Sequence, residues 1–228
     1  MTAKFILTAT LIISTNSFAA PMVDDNFDGV KMALQLPLPN RIKALTMQGP
    51  KTFERLEQIA RAKNESLETK WRAITAMGRM EPGRSRSFLE EAMKSPDWYM
   101  RNAALIVIQY GERAWAVEWA RKLLDDDALV VRTAAVEALD KMNGIEAEDA
   151  LWKKLYAKEN YKNGQSLWIR KHIAQTLARF ARPGQERDFK QLLNDDDKGL
   201  HASALQALTK LTRRDLTRDE WLGSSSIQ

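Results

Sequence analysis

DALVVRTAAVEALDKMNG, residues Asp127–Gly144, holds an acidic start, a Val-Arg pair, and an apolar series at Ala135, Val136, Ala138, Leu139 and Met142. Apolar residues at that spacing form one buried stripe of an α-helix. Asp127 is placed to cap its first turn, because a carboxylate can accept the free N–H groups at a helix start. With Arg132 set as position zero, the same word recurs around Lys70, Arg101, Arg170 and His201, at steps of 31, 31, 38 and 31 residues. A period near 30 residues marks a stack of helical pairs, in which each unit buries its face only against its neighbours. The expected fold is therefore all-α, a right-handed α-solenoid of about five pairs.

Working outward from unit three (112–142), the other units fall at 51–80, 84–110, 145–181 and 185–212, each an A helix followed by a B helix. The turn residues Pro82-Gly83, Asn143-Gly144 and Pro183-Gly184 stand between them. The longer step comes from extra residues in unit four, around Lys158–Ser166, which are expected to form a surface loop. Residues 20–50, broken by Pro37 and Pro39, and 213–228 fit the word poorly and read as N- and C-terminal caps. Ala at plus three and plus six lets neighbouring helices approach, while larger aliphatics at plus four and plus seven fill the space between them.

Residues 1–19 read as a cleavable export signal. Lys4 precedes an apolar run from Phe5 to Ile13, and Ser17 and Ala19 suit a peptidase that cuts before Ala20. The run is too short to span a bilayer and no later one is longer, so the expected mature chain has no transmembrane segment and is periplasmic or secreted. The net charge is +5, or +4 once Lys4 leaves with the leader, a mild balance for which nucleic acid is not the expected partner. The sequence contains no Cys, which excludes disulfides, thiol catalysis and Cys-ligated zinc.

The words SPDWYMRNAALIVI (95–108), DALVVRTAAVEAL (127–139), SLWIRKHIAQTLARF (166–180) and DKGLHASALQALTKL (197–211) resemble HEAT repeats, in particular the short HEAT-like repeats of phycobilin lyases. Lys70 and His201 depart from the family's Arg, and so does the insert. The resemblance implies a structural ladder through position zero (Lys70, Arg101, Arg132, Arg170, His201), with Asp97 serving Arg101 and Asp127 serving Arg132. It also implies that the B helices line the concave side and that such proteins act mainly as protein-binding scaffolds.

On each B helix the side opposite the core carries positions plus one, five, eight, nine and twelve. Plus nine reads Arg79, Tyr110, Lys141, Arg179 and Lys210; with Trp71 and Lys171 at plus one, these are the candidate groove residues. A basic groove suits an acidic partner, although cations in a last helical turn also offset the helix dipole. Trp98, Trp115 and Trp168 fall near turns, and packing between helices is the expected role of each. The runs Asp125–Asp127 and Asp195–Asp197 lack the Gly turn and distal Glu of a calcium loop and read as helix-start residues. His172 and His201 are the only histidines, and no HExxH, GxSxG or P-loop spacing occurs. No catalytic residue, metal site or cofactor is expected. The reading is an exported scaffold that binds a protein or peptide on its helix-B face. Binding of an anionic polymer, nucleic acid or an envelope polysaccharide, is the alternative, and a HEAT-like enzyme such as a DNA glycosylase or lyase is a third.

Overall fold

The computed structural model describes residues 25–224; the leader and its cleavage site lie outside them. Two helices form the N-terminal cap, α1 (Asp25–Leu34) and α2 (Leu38–Thr46). Five A/B pairs follow: α3 (Thr52–Arg61) with α4 (Leu67–Met80), α5 (Pro82–Met93) with α6 (Trp98–Ile108), α7 (Arg113–Leu123) with α8 (Leu129–Lys141), α9 (Glu148–Leu155) with α10 (Ile169–Phe180), and α11 (Glu186–Leu192) with α12 (His201–Thr212). The short α13 (Arg218–Gly223) closes the stack, held at its start by a reciprocal Thr217–Glu220 capping box, with Trp221 fully buried beneath it. The chain is an all-α solenoid. Among the described residues no helix is long and apolar enough to cross a membrane.

Each B helix packs on its own A helix and directly on the B helices before and after it, whereas successive A helices lack comparable backbone approach. The B helices therefore form the inner layer of the stack and the A helices the outer one. Small residues make the inner contact close: Ala73, Ala76, Ala104, Ala135, Ala138, Ala204 and Ala207 are all buried. Gly78 on α4 lies so close to α6 that an added Cβ would collide with the Val107 side chain. Outside, long side chains bridge the wider gaps. Arg61 makes paired bonds to Glu91 at 2.6 and 2.7 Å, Arg84 reaches Glu54 at 2.6 Å, and Arg113 reaches Glu146 at 2.5 Å. The Trp115 indole N–H donates to Glu90 at 2.7 Å, which places Trp115 in the packed layer, as a gap-sealing role requires.

Three local expectations are corrected. Pro82 opens α5 in its first turn instead of standing in the turn before it; proline lacks only an N–H that is free there anyway. Asp127 does not cap α8: Asp126 accepts from the Ala128 N–H at 2.8 Å, because Asp127 projects outward at the turn. The insert is not a plain loop. After a short 3-10 turn at 158–160 it forms a hairpin, β1 (Tyr161–Lys162) paired antiparallel with β2 (Gln165–Ser166). Asn163 and Gly164 turn it with φ of 52° and 75°, the left-handed pair that a two-residue hairpin requires.

Candidate functional site

Position zero faces the A/B turns. Arg101 donates to the carbonyls of Ser95 and Pro96 in its own turn, both at 2.8 Å, and grips both carboxylate oxygens of Asp126 in the next turn at 2.5 and 2.8 Å. Arg170, only 1% exposed, repeats the pattern with Asp195 at 2.6 and 3.2 Å. The ladder thus runs from Arg to the Asp of the following unit, not to Asp97 or Asp127. Asp97 carries only a long contact from the Tyr99 hydroxyl at 3.4 Å, and Asp127 serves Arg132 through its backbone carbonyl at 3.0 Å. An Arg side chain leaving the first turn of a helix reaches past its own turn, which satisfies it with carbonyls, and into the neighbouring one.

Among the described residues Arg132 pairs with no carboxylate, because the insert occupies that place. It donates instead to the Asn160 side-chain oxygen at 3.1 Å and the Glu159 carbonyl at 2.8 Å. Asn160 is fully buried and donates back to the Lys154 carbonyl at 2.8 Å, so the hairpin's base completes the ladder with a neutral amide. His201 contacts the Asp195 carbonyl at 2.9 Å, while Lys70 makes no ion pair among the described residues. Burial alone would push the Asp195 carboxyl up, but hydrogen bonds from Arg170 and the Asp197 N–H outweigh it and hold the group below its ordinary value. The two acidic runs are therefore spent partly on this ladder. Among the described residues, no cluster of three or more His, Asp or Glu is placed to hold a metal ion.

The basic row is more tightly knit than a bare groove. Arg79 donates to the Tyr110 hydroxyl at 2.6 Å and lies over its ring, Arg179 pairs with Asp140, and Lys210 donates to the Arg179 carbonyl at 2.7 Å. These links tie unit one to two, three to four, and four to five. Lys141 and Lys171 are exposed and make no ion pair among the described residues. Trp71 is half-buried and donates to Asn102 at 3.0 Å, whose amide in turn contacts the Val130 carbonyl at 3.4 Å. Trp71 is thus part of the inner packing rather than an open anchor.

A different set of side chains is open. Leu67, Trp98, Val130 and Trp168 stand at or beside the first turns of α4, α6, α8 and α10, and each is 40% to 54% exposed. Trp98 and Trp168 do not seal a gap between helices; edge contacts to Tyr99 and His172 support their rings from one side. They lie two or three residues before position zero, one helical turn from the plus-one place, so they extend the open stripe toward the A/B turns. Recurrence in four units was the signal for this row, and it sits outside the offsets that define the face opposite the core. No large hydrophobic residue of α3, α5, α7, α9 or α11 is exposed.

The HEAT-repeat family profile matches residues 87–164, from within α5 to the hairpin turn. No curated protein sequence matches the chain. Among solved structures, a crystal structure of an engineered protein is 18% identical with a TM-score of 0.52, covering 81% of this chain and 95% of that one. The complex of CpcE and CpcF of phycocyanin lyase from Nostoc sp. PCC7120 is 16% identical with a TM-score of 0.45, covering 86% of this chain and 80% of that one. The first likeness shows the fold.

Proposed function

We propose that this chain, a HEAT-repeat protein, is an exported scaffold that binds a protein partner on the inner, helix-B side and performs no chemistry of its own. The observation that carries the reading is the one-sided distribution of exposed apolar surface. Within the five units, five of the six exposed large hydrophobic residues, Leu67, Trp98, Tyr110, Val130 and Trp168, are open on or beside B helices, and one, Tyr156, stands beside an A helix, at the end of α9. Exposed aromatics in a row are typical anchors of protein interfaces, whereas surface without a partner tends toward mixed polar composition. The outer layer carries exposed ion pairs between units, Arg61–Glu91, Arg84–Glu54 and Arg113–Glu146.

The test is affinity capture from an envelope extract at low and high salt, beside Lys141→Glu/Lys171→Glu, which changes open-face charge without cutting an inter-unit link. A discrete protein held at both salt concentrations supports the scaffold. Capture of polysaccharide or nucleic acid with steep loss of binding as salt rises supports the anionic-polymer alternative instead. Export is tested separately: the N-terminus of the cell-purified protein is expected to begin at Ala20, and a retained Met1 overturns that part of the reading.

A further inference from the structure

The open face is polarised along the B helices, and that polarity carries information about the partner. At the turn end stand the apolar residues Leu67, Trp98, Val130 and Trp168. At the other end lie the basic positions Arg79, Lys141, Arg179 and Lys210. Eleven or twelve helical residues separate the two rows, about 17 Å at a rise of about 1.5 Å per residue. With Lys171 included, five cations stand on this face against Glu137 and Asp140, of which Asp140 is paired with Arg179; Glu68 and Lys198, one of each sign, lie at the offsets of the apolar row. Beyond the apolar row, on the turn side, Asp97, Asp127 and Asp196 are exposed.

Resting on the scaffold reading, we propose that this face seats an amphipathic helix of a partner protein, with its apolar stripe on the Leu67–Trp98–Val130–Trp168 row and an acidic flank toward the basic row. Charge complementarity sets both sign and direction. Acidic side chains are drawn to the basic end and kept from the turn side by Asp97, Asp127 and Asp196. Width selects the element. A single extended strand is too narrow to touch rows about 17 Å apart, while a helix with side chains, about 10–12 Å across, spans them once Lys and Arg side chains extend to meet it. Neighbouring B helices packed about 8–10 Å apart put the four apolar residues along about 24–30 Å, the length of a helix of roughly 16–20 residues.

The probe is a phage-displayed library of random 20-residue peptides panned on the full chain. The expected enrichment is apolar residues at i, i+3 or i+4, and i+7, with Asp and Glu on one flank. A selected peptide is expected to become helical on binding, read by circular dichroism of the labelled complex. Trp98→Ala/Trp168→Ala is expected to weaken it about tenfold or more, as for hot-spot aromatics, with the melting temperature unchanged because both rings are half exposed. Lys141→Glu/Lys171→Glu is expected to weaken it and flatten its salt dependence. Enrichment of basic or non-amphipathic sequences, no enrichment, or indifference to the double Trp variant overturns the proposal. If an envelope protein is still captured in any of those cases, the scaffold reading stands and only this assignment falls.

Discussion

The inner and outer layers of the stack are built from the same repeat yet held by different forces. Inside, B helices touch through Ala and through Gly78, and cohesion is mainly dispersion and burial, with polar links such as Arg79–Tyr110 and Arg179–Asp140 added at one end. Outside, A helices stand apart and are joined by Arg–Glu pairs, well exposed at 42% to 62% in Arg61–Glu91 and Arg84–Glu54, with the buried Glu148 of the Arg182–Glu148 pair the exception. Between them runs the turn ladder, where Arg170 is buried with Asp195. The difference teaches where strength lies. Exposed ion pairs contribute about 0–1 kcal/mol because water and salt screen them, but a buried cation whose carboxylate is removed, or the reverse, costs several times that.

The sharpest way to break the comparison is Arg170→Ala. It removes the paired cation from Asp195, which keeps only the Asp197 N–H among the described residues, and takes the Nε–H donor from the Leu155 carbonyl, and a loss of about 3–5 kcal/mol is expected in urea unfolding. A loss below 1 kcal/mol would place the ladder with the outer pairs. Next comes Gly78→Ala on the inner layer. The gain in helix propensity, about 1 kcal/mol, is outweighed by an overpacking cost of about 1–3 kcal/mol against Val107, so thermal unfolding should move down.

Acid sharpens the same contrast. The Asp195 carboxyl is held low in the folded chain, so its contribution is present above the unfolded value near 4 and is lost as pH falls through the lowered folded value. Asp195→Asn should therefore show a shallower fall in stability as pH drops below about 4 than the wild type. The smallest effect belongs to the outer layer. Arg61→Ala should cost under about 1 kcal/mol, and less still at high salt. A larger value would mean that the A helices carry more of the stack than their separation implies.

The fold was legible because its signal is periodic. Ala135, Val136 and Leu139 repeat in Leu105, Ile108, Ala204 and Leu208 at the same offsets, and all are buried. The recurrence of position zero was legible, and the ladder through it was an inference from the family resemblance whose acid partners were not legible. Whether Arg101 turns to Asp97 or to Asp126 depends on the stagger between adjacent units, which no spacing within one unit contains. The hairpin escaped for a related reason: Asn163-Gly164 is a strong turn signal, but the two-residue strands beside it are too short to show alternation. The offsets that define a face opposite the core start inside the helix. Leu67, Trp98, Val130 and Trp168 precede position zero and fall in or next to the turns, where aromatic residues read as packing.

In mechanical terms, the two layers make a laminate with a stiff ply and a compliant one. Atoms in van der Waals contact, such as Gly78 against α6, resist separation within a fraction of an ångström. An Arg–Glu tether spans many rotatable bonds, and its tension falls as the ionic atmosphere tightens. Bending is then the soft deformation of the molecule, with its neutral axis near the B helices. Added salt slackens the outer ply, and the end-to-end chord shifts while the spacing of inner helices holds.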